Sequence, residues 1–327
     1  LRSQISKGKQ GSDAKGQSRE NVMKTTQRSL MTRQGKMPFP AYIPVTTFGE
    51  KYPLDNLIRP YLPRLAPAVM VSHYYARQMK ESERPRIPLL VDSGGFVSLF
   101  QQAKVQRAGE LGVIEVQRGE ETELIHPLSV LEFQERVADV AFTLDFPIPP
   151  SLSHKEAMVR QELTMINAHW ALANRRRRDL PLYACVQAWD AASARACAQA
   201  YAGAGFDGIA IGGLVPRAQD LALITGMVEA VRQEIGDLPL HVFGLGKPEL
   251  TKHLFDLGVD SVDSSSYVKL AADGRLWSAP GQQVVDPSPL DRLHLALCNL
   301  ASATGTTLPL SALSMTFKTM TLAASSA

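Results

Sequence analysis

Residues 89–100 read LLVDSGGFVSLF, and this stretch decides the fold. A short apolar run, Leu89-Leu90-Val91, ends in an acid, Asp92, followed by Ser93, Gly94, Gly95 and Phe96. The pattern predicts a buried strand running into a glycine turn, with a carboxylate at the strand's carboxyl end. In parallel α/β folds that end of a strand is where chemistry is done. Taken alone the motif has an equally good structural explanation, in which Asp92 caps the next helix and the glycines make the turn.

Outward from this stretch the same unit repeats. Residues 39–48 read as extended structure, with prolines suited to an edge strand, and residues 56–64 as a helix bounded by prolines. Residues 68–72 (AVMVS) read as the first strand of a βα series. Further short apolar strands are expected at 140–144, 182–186, 208–211, 240–243 and 259–262. Helices are expected at 129–137, 154–174, 191–204, 220–235, 248–257 and 290–303, the first with Ser129 and Glu132 as a capping box. The polar segment 112–123 reads as a hairpin inserted in a loop. About eight such units fit the length, the signature of an α/β (β/α)8 TIM barrel with an N-terminal β extension. An open doubly wound sheet is the alternative, weakened because no GxGxxG opens a helix early in the chain.

The 327 residues suffice for one large domain or two small ones. Residues 1–36 carry nine Lys and Arg against Asp13 and Glu20 and are nearly empty of aromatics. They read as a disordered basic arm, with a charge that suits nucleic acid. They read equally well as an extension upstream of the true start, with Met23, Met31 and Met37 as candidate initiators. The barrel is expected over 37–303, and a Ser/Thr/Ala/Leu-rich, low-complexity tail over 304–327. Net charge is +3, compatible with a polyanion partner and too weak to prove one. No run is apolar enough to span a membrane and no secretory signal opens the chain. Cys185, Cys197 and Cys298 form neither CxxC nor CxC, so neither a disulfide framework nor a zinc motif is expected. The default setting is reducing and cytoplasmic.

The residues at the strand exits carry the chemistry: Asp92, Asp145, Gln187, Gly212-Gly213, Phe243-Gly244 and Asp263. Structural roles explain any one of them but not so many at the same end of successive strands. Two donors side by side, such as the N1–H and exocyclic NH2 of guanine, suit a bidentate carboxylate. A neighbouring carbonyl suits an amide NH2 and a free backbone N–H. Asp145, Gln187 and the Gly213 amide would read such an edge, with Phe96 and Phe243 stacking on either side of the ring. Asp92 and Asp263 remain as a pair of acids for double displacement at a glycosidic carbon, one attacking and the other shuttling protons.

At these residues the sequence resembles the tRNA-guanine transglycosylase family, from about residue 38 to residue 275. The motifs run in order: DSGGF at 92–96, HPLSVLEFQ at 126–134, FTLDFPIP at 142–149 and VQ at 186–187. FDGIAIGGL at 206–214, FGLGKP at 243–248 and GVDSVD at 258–263 follow. The resemblance implies a TIM barrel that swaps guanine in a polynucleotide for a 7-deazaguanine base (preQ0-like) through a covalent intermediate. It implies Asp263 as nucleophile and Asp92 as general acid/base. Asp145, Gln187, Gly212 and Gly213 become base readers, Leu214 offers its carbonyl to the 7-substituent, and Phe96 and Phe243 cover the two ring faces. Ser93 and Gly94 enter with the DSGGF motif, and Lys247 is placed on a backbone phosphate or as a cap of its loop.

The family's zinc site, a CxCxxC run and a later His after the nucleophile, is absent. Only Cys298 lies beyond Asp263, and SSSYVKLAADGR (264–275) follows it directly. No cofactor or metal is therefore expected. The missing tRNA-facing subdomain favours the relatives that insert 7-deazaguanine into DNA, with tRNA as the alternative, and the target base has to leave its stack. A homodimer or modification-system partner proteins fit the family. Two other function classes stand beside this one. One is a non-catalytic nucleic-acid-binding paralogue, opposed by retention of Asp92 and Asp263. The other is a small-molecule barrel enzyme with the GLGKP loop (244–248) as phosphate cradle. His73 and His126 read as structural hydrogen-bonders and Cys185 as a small core residue. Residues 175–178 (RRRR) read as a solvated helix end, with a phosphodiester contact as the alternative.

Overall fold

The computed structural model describes residues 28–47, 53–77, 79, 84–306, 308 and 322–324. Eight parallel strands close into a barrel: β3 (Ala41–Thr46), β4 (Val69–Ser72), β5 (Leu89–Asp92), β9 (Val140–Phe142), β10 (Leu182–Val186), β11 (Gly208–Ile211), β12 (Leu240–Val242) and β13 (Ser261–Ser264). They follow one another round the ring in chain order, and β13 pairs with β3 to close it. This is the (β/α)8 barrel that the repeating pattern predicts. The strands are apolar almost throughout because both faces are covered. Ile43, Met70, Leu90, Phe142, Tyr183, Cys185 and Ala210 fill the interior. Their neighbours Val69, Val71, Leu89, Val91, Ala141, Ala184, Ile209 and Ile211 face the helices, as a period of two requires.

The outer ring contains α4 (Pro127–Val137), α5 (His154–Asn174), α6 (Ala191–Tyr201), α7 (Leu221–Ile235), α8 (Pro248–Asp256), α9 (Ser266–Ala272) and α10 (Pro289–Thr304). The expected helix at 56–64 is a turn-rich stretch in three short pieces, α1 (Pro53–Ile58), a 3-10 turn (Arg59–Tyr61) and α2 (Leu62–Leu65), and α3 (His73–Ala76) follows β4. Helix α5 starts on a Ser153/Glu156 capping box. The start of α4 differs from expectation: Ser129 and Glu132 form no capping box. The His126 ring nitrogen accepts the Leu128 N–H at 3.1 Å, and Pro127 opens the helix. Proline needs no N–H partner there and its φ is already helical.

Two additions complete the barrel. The hairpin of β1 (Ser29–Thr32) and β2 (Gly35–Pro38) is antiparallel and drives Leu30, Met37 and Phe39 into the barrel interior as its floor. The basic arm expected through residue 36 therefore gives way to folded structure at residues 28–36, and residues 1–27 lie outside the described ones. The expected insertion is larger than a hairpin. It is a three-stranded antiparallel sheet of β6 (Ala103–Ala108), β7 (Leu111–Arg118) and β8 (Glu121–Ile125). Its inner face packs Ile114, Val116 and Ile125 on Phe146 and Leu163. Strand β6 buries only a small, alternating face and so carries little apolar signal. Of the expected tail, Leu322–Ala324 pairs with Gln282–Val284, and most of the rest lies outside the described residues.

The strands are pinned at their amino ends by a repeated device. Asp139 precedes β9 and accepts the first N–H of β5, Leu89, at 2.8 Å. Asp207 precedes β11 and accepts the first N–H of β10, Leu182, at 3.0 Å. Asp260 precedes β13 and accepts the first N–H of β12, Leu240, at 2.9 Å. Each acid also pairs with arginine: Arg33 and Arg84 on Asp139, Arg175 on Asp207, Arg28 and Arg232 on Asp260. Arg175 is thereby a structural residue of the barrel's amino end, remote from the carboxyl ends of the strands. Arg177 beside it donates to the Glu135 and Ala138 carbonyls.

Candidate active site

At the carboxyl ends of the strands a cavity of about 610 Å³ opens. Asp92, Phe96, Asp145, Gln187, Gly212, Gly213, Phe243 and Asp263 all line it. Each comes from a strand exit or the turn behind it, so barrel closure brings together residues up to 171 positions apart in sequence (263 − 92). Asp263 lies inside β13, which runs two residues further than the expected 259–262 strand. Phe96 and Phe243 follow β5 and β12, four steps apart round the eight-strand ring, and so stand on opposite sides of the mouth.

Asp145 is buried and both of its oxygens are engaged: Oδ1 accepts from Ser93 Oγ at 2.8 Å and Oδ2 from Gln187 Nε2 at 2.6 Å. Burial raises its pKa, and the Gln187 and Ser93 hydrogen bonds oppose that rise. A Cβ on Gly95 would come within 2.2 Å of the Asp145 carbonyl, and one on Gly212 within 2.1 Å of Gln187 Nε2. Only glycine fits at Gly95, against backbone, while a side chain at Gly212 would displace the Gln187 amide from Asp145. Asp92 accepts the Gly94 N–H at 3.2 Å. Burial, then the nearby charges of Asp145 and Asp263, push its pKa up to about 7.

Asp263 is held by one oxygen. Oδ1 contacts His241 Nε2 at 3.0 Å and accepts the Gly244 N–H at 3.1 Å. Oδ2 has no partner among the described residues. The His241 ring is fully buried, and its Nδ1 lies 2.8 Å from Ser261 Oγ. The Asp263 carboxylate can only accept from Nε2, whereas the Ser261 hydroxyl can donate to or accept from Nδ1.

Four expected site residues stand differently. Leu214 has its side chain in the core, and its carbonyl already accepts the Arg217 N–H at 2.9 Å. That carbonyl is turned into a helical turn, which the residue order alone does not show. Lys247 is exposed and lines a second, adjoining cavity with His253 and Gln219. Ser93 and Gly94 lie behind the lining, the first on Asp145 and the second on Asp92. Sequence reasoning passed over His241, which the alternation with Phe243 two residues on would have placed inside the barrel. It also passed over Tyr75, whose ring stacks behind Phe96 with centroids 5.8 Å apart.

The queuine tRNA-ribosyltransferase family matches over residues 27–304, and the chain belongs to that family. It is 31% identical over 202 residues to a queuine tRNA-ribosyltransferase of Thermosipho africanus, covering 60% of this chain and 54% of that protein. It is 30% identical over 200 residues to a tRNA-guanine(15) transglycosylase of Methanothermobacter thermautotrophicus, covering 59% of this chain and 27% of that protein. A tRNA-guanine(15) transglycosylase of Haloarcula marismortui is 26% identical over 260 residues, 74% of this chain and 51% of that protein. The chain thus spans from about a quarter to about half the length of these relatives.

Proposed function

We propose that this protein is a pentosyltransferase that exchanges guanine in a polynucleotide for a 7-deazaguanine base by double displacement. The observation that carries the reading is the pair Asp92 and Asp263 in one cavity, with the pKa of the Asp92 carboxyl pushed up to about 7 by burial and then by the charges of Asp145 and Asp263. Asp263, tethered through Oδ1, attacks C1′ with the unpartnered Oδ2, and the bond to guanine breaks as Asp92 supplies the proton. The entering base then gives its proton to the Asp92 carboxylate and attacks C1′, which releases Asp263. Asp145, Gln187 and the Gly213 amide read the Watson–Crick edge and its neighbouring carbonyl, and Phe96 and Phe243 cover the faces.

The names of the relatives favour tRNA as the polynucleotide. The DNA reading rests on the segment after Asp263, which carries no CxCxxC and forms the short helix α9 instead. Among the described residues no three His, Cys, Asp or Glu side chains come together as a metal site, and no step of the proposed reaction uses one. The test is incorporation of labelled guanine into tRNA and into DNA. Exchange is expected in the wild type, with tRNA as the acceptor. Asp263→Ala is expected to abolish it, and a trapped covalent adduct is expected to form with the wild type only. Full exchange by Asp263→Ala overturns the nucleophile assignment, and exchange into DNA alone moves the substrate to the second reading.

A further inference from the structure

The stretch HPLSVLEFQ at 126–134 supplies no side chain to the cavity, yet both of its ends are engaged. His126 caps the start of α4. Gln134, near the other end, is the only polar side chain on the helix's buried face, beside Val130, Leu131, Phe133 and Val137. It is 1% exposed. From its single amide nitrogen it donates to the Val91 carbonyl at 2.9 Å and to the Phe142 carbonyl at 2.7 Å. A primary amide nitrogen carries two N–H groups, so both bonds are made at once.

Those two carbonyls stand where two strands part. Strands β5 and β9 are neighbours in the ring, and their register runs from Leu90 opposite Val140 to Val91 opposite Ala141 and ends there. Val91 is the residue before Asp92, and Phe142 is the last residue of β9, ahead of Thr143, Leu144 and Asp145. The Gln134 amide therefore fills the fork below the two exits that carry Asp92 and Asp145. Above the fork the exits touch again: Ser93 Oγ donates to Asp145 Oδ1, and a Cβ on Gly95 would strike the Asp145 carbonyl. The separation of the two acids is fixed from below by one side chain and from above by the DSGGF turn.

Packing alone does not call for glutamine here. A methionine would fill a comparable volume among the apolar neighbours, and would leave two buried carbonyls without this donor. What the amide adds is a fixed span between two backbones, and that span bears on charge. Asp145 from the β9 exit and Asp263 from β13 face Asp92 and, after burial, hold its proton on. Cys185 on β10 lies near both Asp92 and Asp145, and burial pushes its thiol well above the ordinary range. His241 stands behind Asp263. A wider fork takes Asp92 away from Asp145 and admits water, and both changes release its proton more easily.

We propose that Gln134 is a positioning residue for the base exchange: by holding the Val91 and Phe142 carbonyls together it sets the spacing of Asp92 and Asp145, and with it the proton transfer between Asp92 and the departing base. This deepens the base-exchange reading and rests on it.

The experiment follows single-turnover release of labelled guanine from whichever polynucleotide, tRNA or DNA, the wild type accepts, as a function of pH. Departure needs the protonated acid, so the rate falls as pH rises through the Asp92 value, and Asp92→Asn identifies that limb by removing it. In Gln134→Met the limb is expected to move to lower pH by at least about half a unit. The rate at pH 7 is expected to fall at least about tenfold, the scale of a displaced reacting group. Affinity for the polynucleotide is expected to stay within about threefold, because Gln134 touches no ligand. Gln134→Asn keeps the amide but falls one carbon short of both carbonyls, and is expected to behave as Gln134→Met does. The position of the limb does not depend on how much of a variant is folded, and Gln134→Asn carries the test where Gln134→Met does not fold. An unmoved limb overturns the proposal, whatever the loss of rate, and so does wild-type behaviour of Gln134→Asn. Absence of guanine release by the wild type from either polynucleotide overturns the base-exchange reading instead, and this inference with it.

Discussion

Asp92 illustrates how much one position owes to its neighbours. A carboxyl with a pKa of about 7 suits the role proposed for it, giving a proton to the departing guanine and taking one from the next base at one ambient pH. The same shift sets a stability cost. The unfolded chain ionises Asp92 around the ordinary aspartate value of 3.8, whereas the folded chain keeps the proton until about 7. The cost is therefore absent below pH 4, grows between 4 and 7, and is complete above 7. Asp92→Asn is expected to melt higher than the wild type at pH 8 and to converge with it near pH 4. It is also expected to lose roughly 10²–10⁴ of the exchange rate. Thermal melts across pH with a parallel assay check both halves, and equal melting points at pH 8 would contradict the burial of a charge. At this scale the acids were legible, because each ends an apolar run. His241 was legible in position, by its alternation with Phe243, but not in role, because a lone histidine in a strand has a bland explanation. The direction of the Leu214 carbonyl was not legible either, because it is set by a turn and by Arg217, three residues further on.

Among the elements, the three strand-leading acids show where the barrel draws stability from polar contacts. Asp139 is wholly buried on two arginines and a backbone N–H. Asp139→Ala leaves the Leu89 N–H and the nearly buried Arg84 without their partner, and is expected to cost about 3–5 kcal/mol. Asp256→Ala removes an exposed pair with Lys252 and is expected to stay within about 0.5 kcal/mol. Urea denaturation of the two variants separates these cases. The strands and helices themselves were legible from period and punctuation, and α5 matched to the residue. The acids in the ADV, FDG and VDS steps carried no such signal: each is a short polar interruption whose partner lies one strand away. The cap of α4 was misplaced because a Ser-x-x-Glu pattern competes with Pro127, and the proline sets where the helix begins.

For the molecule as a whole, the count of βα units and hence the closed ring could be read from the chain, but its floor could not. Residues 28–38 are polar and basic in composition, and only Leu30, Met31 and Met37 hint at burial. What folds them is the open lower end of the barrel, a tertiary cause that no local pattern records. Met37 is 1% exposed in that floor, and Met37→Ala is expected to lose about 2–5 kcal/mol of stability, read as a lowered midpoint in the same urea series. The sealed floor governs traffic through the interior. Under the proposed exchange, a base has no way out below and must leave by the mouth before its successor enters. In that exchange the sugar stays anchored to the ring's edge during the interval, its backbone uncut and short of one base.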